Sequence, residues 1–220
     1  MTRLAVFDCD GTLVDSQANI CIAMEETFVA ARLTPPPRAV IRGVVGLSLL
    51  EVMRALLPDA DDTLHMHLAQ EYRAAFFRLR GSGAMADEPL FDGIIDALDA
   101  LAGAGWTLGV ATGKSDRGLT HVLAHHDIAH RFVTLQTADR HPSKPSPAMM
   151  EAAMREAGAH PADTVMIGDT SFDMTMALAA GTRAIGVAWG YHSVDELIAA
   201  GAHAIAETAA DLPVQLKDAS

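Results

Sequence analysis

Short, continuously apolar runs alternate with longer amphipathic stretches along most of this chain, and that alternation leaves few folds open to it. Leu4 to Phe7, Trp106 to Ala111, Phe132 to Leu135, Thr164 to Ile167 and Arg183 to Val187 have the length and unbroken apolarity of strands buried on both faces. A weaker sixth run covers His203 to Ala206. Between the runs, Asp92 to Ala102, Asp116 to His126, Pro147 to Ala157 and Phe172 to Ala180 read as helices. Strands joined through helices need right-handed crossovers around a mainly parallel sheet. The expected fold class is α/β.

The rhythm stops between about Asp15 and Glu88, where no strand pattern is visible. Ile20, Met24 and Phe28 recur at four-residue spacing, and Met66, Leu68, Tyr72 and Phe76 at near-helical steps. The Pro35-Pro36-Pro37 run and Gly81-Ser82-Gly83 punctuate the segment. Residues 15–88 are therefore expected to be an all-helical insertion after the first strand, with 1–14 and 89–220 forming the core. A chain of 220 residues, half of them hydrophobic, can bury a core of that kind.

Composition also excludes partners. A net charge of −12 with two Trp and two Tyr lacks the basic, aromatic-interleaved surface that nucleic acid selects. No apolar run approaches the ~20 residues of a membrane helix. Met1-Thr2-Arg3 leads into the first strand without a signal-peptide pattern. Two cysteines, Cys9 and Cys21, are too few for a disulfide framework. The expectation is a soluble, cytoplasmic protein with neither nucleic-acid nor membrane partners.

The chemistry gathers where strands end. Asp8 and Asp10 close the first run and project to one side of it, with Cys9 on the other. Gly11 then permits a sharp turn. The second run leads into Thr112-Gly113-Lys114, the fourth into Gly168-Asp169-Thr170, with Asp173 four residues beyond Asp169. Lys144 precedes a helix that proline can open. Each piece alone has a dull explanation as a turn, a loop or a helix cap; their ordered co-occurrence does not. Ligands of open parallel sheets bind outside the carboxyl ends of the strands. Four carboxylates meeting there would repel by about 1 kcal/mol per pair at 4 Å in water, and more in a drier site. A hard cation relieves that repulsion, and an all-oxygen set of few carboxylates suits Mg²⁺. Thr112, Gly113 and the helix start at Asp116 offer a hydroxyl, an N–H and a helix dipole to an anion. The set reads as a phosphoryl-transfer site.

Asp8-Cys9-Asp10-Gly11-Thr12-Leu13-Val14-Asp15-Ser16, Thr112-Gly113, Lys144-Pro145 and Gly168-Asp169-Thr170-Ser171-Phe172-Asp173 resemble the four ordered motifs of the haloacid dehalogenase superfamily. The likeness is strongest to its phosphoglycolate-phosphatase-like branch, which carries a helical cap. This resemblance implies a three-layer Rossmann-like core with the first strand central, and a Mg²⁺-dependent phosphatase of a small phosphorylated metabolite. It implies Asp8 as the nucleophile, forming an aspartyl-phosphate, and Asp10 as the group that gives a proton to the leaving oxygen and later takes one from water. Thr112 and Gly113 would hold phosphate oxygens, with Gly11, Thr12 and Lys114 also beside the substrate, and Lys144 would neutralise charge. Asp8, the Asp10 carbonyl, Asp169 and Asp173 would hold Mg²⁺.

Within the superfamily, dehalogenases lack the second aspartate, which is present here as Asp10. Phosphonoacetaldehyde hydrolases need a cap lysine, and none of the three lysines, Lys114, Lys144 and Lys217, falls within 15–88. A sugar-phosphate mutase shares all four motifs and stays open, as does a non-catalytic binder of a phosphorylated metabolite. Arg42 is a candidate for pairing with a substrate carboxylate, and Gly186 to His192 for lining the crevice. Gly113-Lys114-Ser115 is not a P-loop end, since Leu108 stands where that motif needs glycine. His121, His125, His126 and His130 read as a solvated helix face, and Cys9 and the methionines at 149, 150, 154, 174 and 176 as core.

Overall fold

The computed structural model describes residues 2–217 of the chain. Six strands form one sheet, with every neighbouring pair parallel: β1 (Thr2–Phe7), β2 (Trp106–Thr112), β3 (Phe132–Thr137), β4 (Ala159–Gly168), β5 (Arg183–Val187) and β6 (Ala204–Ala206). Their spatial order is β3-β2-β1-β4-β5-β6. The order reverses at β1, so the carboxyl ends of β1, β2 and β4 open side by side at a topological switch point.

Both faces of the sheet are covered, which is why the strands read as unbroken apolar runs. Ala5 and Phe7 of β1 join a cluster with Leu98 and Leu101 of α5 (Ile94–Gly103) and Leu119 and Leu123 of α6 (Asp116–His125). Leu4 and Val6 point the other way, onto Met149 and Met150 of α7 (Ala148–Ala157), Met174 and Met176 of α8 (Ser171–Ala179) and Leu197 of α9 (Val194–Ala199). A last helix, α10 (Leu212–Lys217), adds Leu212 and Leu216 to the first cluster. The fold is α/β and Rossmann-like.

The segment between β1 and α5 is helical, with α1 (Gln17–Ala30), α2 (Arg38–Arg42), α3 (Leu49–Leu56) and α4 (Asp62–Ser82). It has an apolar cluster of its own around Ile20, Met24, Phe28, Ile41, Met53 and Leu68. The two chain crossings lie together: the Asp15 N–H donates to the Pro89 carbonyl at 2.9 Å and the Phe91 N–H to the Leu13 carbonyl at 3.0 Å.

Two expectations need correction. Met66 is 51% exposed and outside the α4 stripe. His65 is buried in its place, because its Nε2 donates to the Leu57 carbonyl at 2.9 Å and satisfies the ring. Strand β4 begins at Ala159 rather than Thr164: Ala159 pairs with Thr2 before a register shift, along residues too exposed to show an apolar pattern. Among the described residues, no helix is long and apolar enough to cross a membrane.

Candidate active site

Strand β1 delivers Asp8 fully buried at the switch point. Its Oδ1 accepts the Cys9 N–H at 2.7 Å and the Lys144 ammonium at 2.9 Å. Its Oδ2 is buried and has no hydrogen-bond partner among the described residues. Burial, opposed by Lys144 and reinforced by Asp173 and Asp10, pushes the Asp8 pKa up to about 7.

The turn after β1 is dictated by Asp169. Gly11 adopts φ +84°, and a Cβ there would lie 2.2 Å from Asp169 Oδ2. Gly190 approaches from the other side, where a Cβ would lie 2.0 Å from that of Asp169. Only glycine leaves room at both places. Asp169 Oδ1 accepts the Thr12 hydroxyl at 2.8 Å and Oδ2 the Tyr191 N–H at 2.9 Å. Burial first, then Asp8 and Asp173, push its pKa well above the ordinary carboxylate range.

Asp173 lies in the first turn of α8. Its Oδ2 accepts the Thr170 N–H at 3.0 Å and hydroxyl at 2.7 Å, closing a capping box, and its Oδ1 accepts Lys144 at 2.6 Å. This aspartate completes the capping box of α8 and contacts Lys144 at the same time. Lys144 thus bridges Asp173 and Asp8. Burial works against its ammonium, but the two carboxylates outweigh that and raise its pKa.

Asp8, Asp169 and Asp173 each offer an oxygen, and these lie within 4.8 Å of one another. The Asp10 side chain is not in this group. Its Oδ1 accepts the Ser16 hydroxyl and the Lys114 ammonium, the latter at 2.7 Å. Four carboxylates thus meet two lysines in one buried region, leaving it short of positive charge. The all-oxygen donor set and the mutual repulsion that helps raise the pKa values of Asp8 and Asp169 fit a hard divalent cation.

A model of haloacid dehalogenase-like hydrolases matches residues 5–187. The chain belongs to that family. It sits in the phosphatase branch: "Probable phosphatase IndB" of Dickeya dadantii is 35% identical over 213 residues, covering 94% of this chain and 90% of that protein. A phosphoglycolate phosphatase of Agrobacterium fabrum is 30% identical, covering 88% and 84%. A crystal structure from Clostridium acetobutylicum, described as "a predicted phosphatase", has TM-score 0.88 at 25% identity over 99% of both chains.

In this haloacid dehalogenase-like hydrolase the motif residues fall into three places. Asp8, Asp169, Asp173 and Lys144 meet directly. Thr12 orients Asp169 through its hydroxyl, while the Lys114 ammonium is committed to Asp10 and its N–H donates to Thr112 Oγ1 at 3.2 Å. Arg42 is not brought to Asp8. It donates to Gln17 Oε1 at 3.1 Å and lines a neighbouring cavity of about 280 Å³ with Tyr191, His192 and Glu196. His121, His125 and His130 are exposed, as a solvated face requires, while His126 donates to the Glu88 carbonyl at 2.8 Å.

Sequence reasoning gave Ser16 and Tyr191 no part in holding Asp10, although Ser16 closes the first motif and Tyr191 lies in the stretch expected to line the crevice. Ser16 grips Asp10 and lies 3.3 Å from the Tyr191 hydroxyl. Burial, with Asp10 next, drives the Tyr191 pKa far up and keeps its phenol protonated. Their only sequence signal was position, at the end of the first motif and in the loop beyond β5.

Proposed function

We propose that this chain is a Mg²⁺-dependent phosphomonoester hydrolase working through an aspartyl-phosphate on Asp8, with a small phosphorylated metabolite such as phosphoglycolate as substrate. The observation that carries the reading is the asymmetry of Asp8: one oxygen is held by Lys144 and the Cys9 N–H, and the other is bare. A carboxylate oriented through one oxygen presents the second as a nucleophile.

Asp8 Oδ2 attacks phosphorus as the bond to the leaving oxygen breaks, and Asp10 gives that oxygen its proton. Water then attacks the phosphorus of the acyl phosphate, Asp10 takes back a proton, and inorganic phosphate and the Asp8 carboxylate are regenerated. Thr112 and the Gly113 N–H hold phosphoryl oxygens, with Gly11 beside them. Lys144 offsets negative charge on Asp8 and the phosphoryl group. Asp8, Asp169 and the Asp10 carbonyl would hold the cation, with Asp173 helping directly or through water. When bound, Mg²⁺ supplies charge neutralisation at the phosphoryl oxygens. Residues 15–88 are read as a cap over this site, with Arg42 on its inner rim beside a substrate carboxylate. The relatives' names support phosphoglycolate as a substrate to test first.

Phosphate release from a panel of phosphomonoesters, with and without Mg²⁺, tests this. Turnover that needs Mg²⁺ and disappears in Asp8→Asn is the expected result. Turnover that survives Asp8→Asn would overturn the mechanism, and silence of the folded, Mg²⁺-supplied protein across the panel would overturn the activity.

A further inference from the structure

Residues 43–48 join α2 to α3 within the helical segment and touch the core as a short strap. At its middle, the Gly46 and Leu47 carbonyl oxygens press on Gly113, where a Cβ would stand 2.6 and 2.4 Å from them. At its far end the Ser48 N–H donates to Ser143 Oγ at 2.8 Å, on the loop that carries Lys144. At its near end the Gly43 carbonyl meets His192 Nε2 at 3.2 Å. The strap is therefore tied down on both sides of the motif loops.

We propose that His192 is a positioning residue that latches this strap to the Asp169 loop and so sets how far the helical segment closes over the site. The ring's chemistry supports a single arrangement. The Ser171 N–H donates to Nδ1 at 3.2 Å, so Nδ1 is an acceptor and carries no proton. Nε2 then holds the hydrogen and donates it to the Gly43 carbonyl. The ring packs edge-on against Phe172, with centroids 5.6 Å apart, and the residue is only 9% exposed. Its own N–H donates to the Asp169 carbonyl at 3.3 Å. One residue thereby joins the first turn of α8 and the strap through its ring and the Asp169 loop through its backbone.

Opening the strap must break the Nε2 bond while the Nδ1 bond stays within the core. Losing one such bond shifts closure by about two- to tenfold. Where the open form predominates the closed fraction multiplies kcat/KM and carries the shift, and where the closed form predominates the open population, read by exchange of the strap amides, carries it.

Two amides separate the ring's two ends. His192→Asn places an acceptor where Nδ1 stands and cannot reach Gly43; His192→Gln places a donor where Nε2 stands. The test compares both with wild type by hydrogen exchange over 43–48, thermal midpoint and kcat/KM. The expected result is faster exchange of the strap amides in His192→Asn, joined where the open form predominates by a two- to tenfold lower kcat/KM, with His192→Gln keeping most of both and the two variants melting alike. Equal exchange and equal kcat/KM in the two variants would overturn the latch. The kinetic arm rests on the phosphatase reading, but the exchange arm does not. Wild type without turnover would count against that reading alone, and strap exchange would still decide the latch.

Discussion

Asp10 is held from two sides, by the Ser16 hydroxyl and by Lys114, and its position next to Asp8 suits it to pass a proton rather than to bind phosphate. Burial is the largest influence on the Lys114 ammonium and opposes it, yet Asp10, together with Cys9 and Glu88, more than offsets burial and raises the lysine's pKa. Asp10→Asn keeps an oxygen for Ser16 and Lys114 but cannot exchange the proton. We expect it to lower kcat by about 10²- to 10⁴-fold on an alkyl phosphate. The loss should be smaller on p-nitrophenyl phosphate, whose leaving group departs without help. Equal losses on both substrates, measured in parallel under saturating Mg²⁺, would remove Asp10 from the leaving-group step.

The strap and the strand ends depend on one another through backbone contacts, and glycine is what lets them meet. Gly113 directly follows β2, and its missing side chain is the space in which the Gly46 and Leu47 carbonyls rest. Gly113→Ala adds a Cβ that must displace backbone, not the tip of a flexible chain. The expected outcome is a core that folds normally and a strap lifted from it: faster hydrogen exchange over 43–48 and a kcat/KM lower by roughly tenfold or more, since ångström-level misplacement is costly in a catalytic site. A variant with wild-type exchange and wild-type kinetics would show that the strap does not close on Gly113 in solution.

At the scale of the whole molecule, the buried carboxylate group couples its own titration to folding. The Asp8 pKa rises from an ordinary value of about 3.9 to about 7. Between those values the native state holds more protons than the unfolded chain. Metal-free stability contributed by this group therefore falls as pH rises through that window, and the loss is complete above pH 7. A divalent cation held by the ionised native cluster would restore it, by about 2.7 kcal/mol at a hundredfold excess over Kd. We expect a larger Mg²⁺-induced rise in Tm at pH 8 than at pH 5, reversed by a chelator. Equal shifts at both pH values would place the ion away from these carboxylates.

Much of this was legible along the chain because it is local. Unbroken apolarity in Leu4–Phe7 requires burial on both faces, and so announces a parallel sheet before any contact is known. The four motif segments each sit at the end of a strand or the start of a helix, where backbone geometry places them whatever else the chain does. What sequence could not determine was decided by segments far apart in number. Thr12 meets Asp169, Ser48 meets Ser143, and His192 meets Gly43, across separations of 157, 95 and 149 residues. No periodicity records such pairs, because they arise only once the sheet has brought its loops to one edge. The residue types at the site belong to the sequence; which oxygen of Asp8 is held, which is bare, and what lies across Gly113 belong to tertiary packing, since those depend on directions in space that a one-dimensional pattern does not carry.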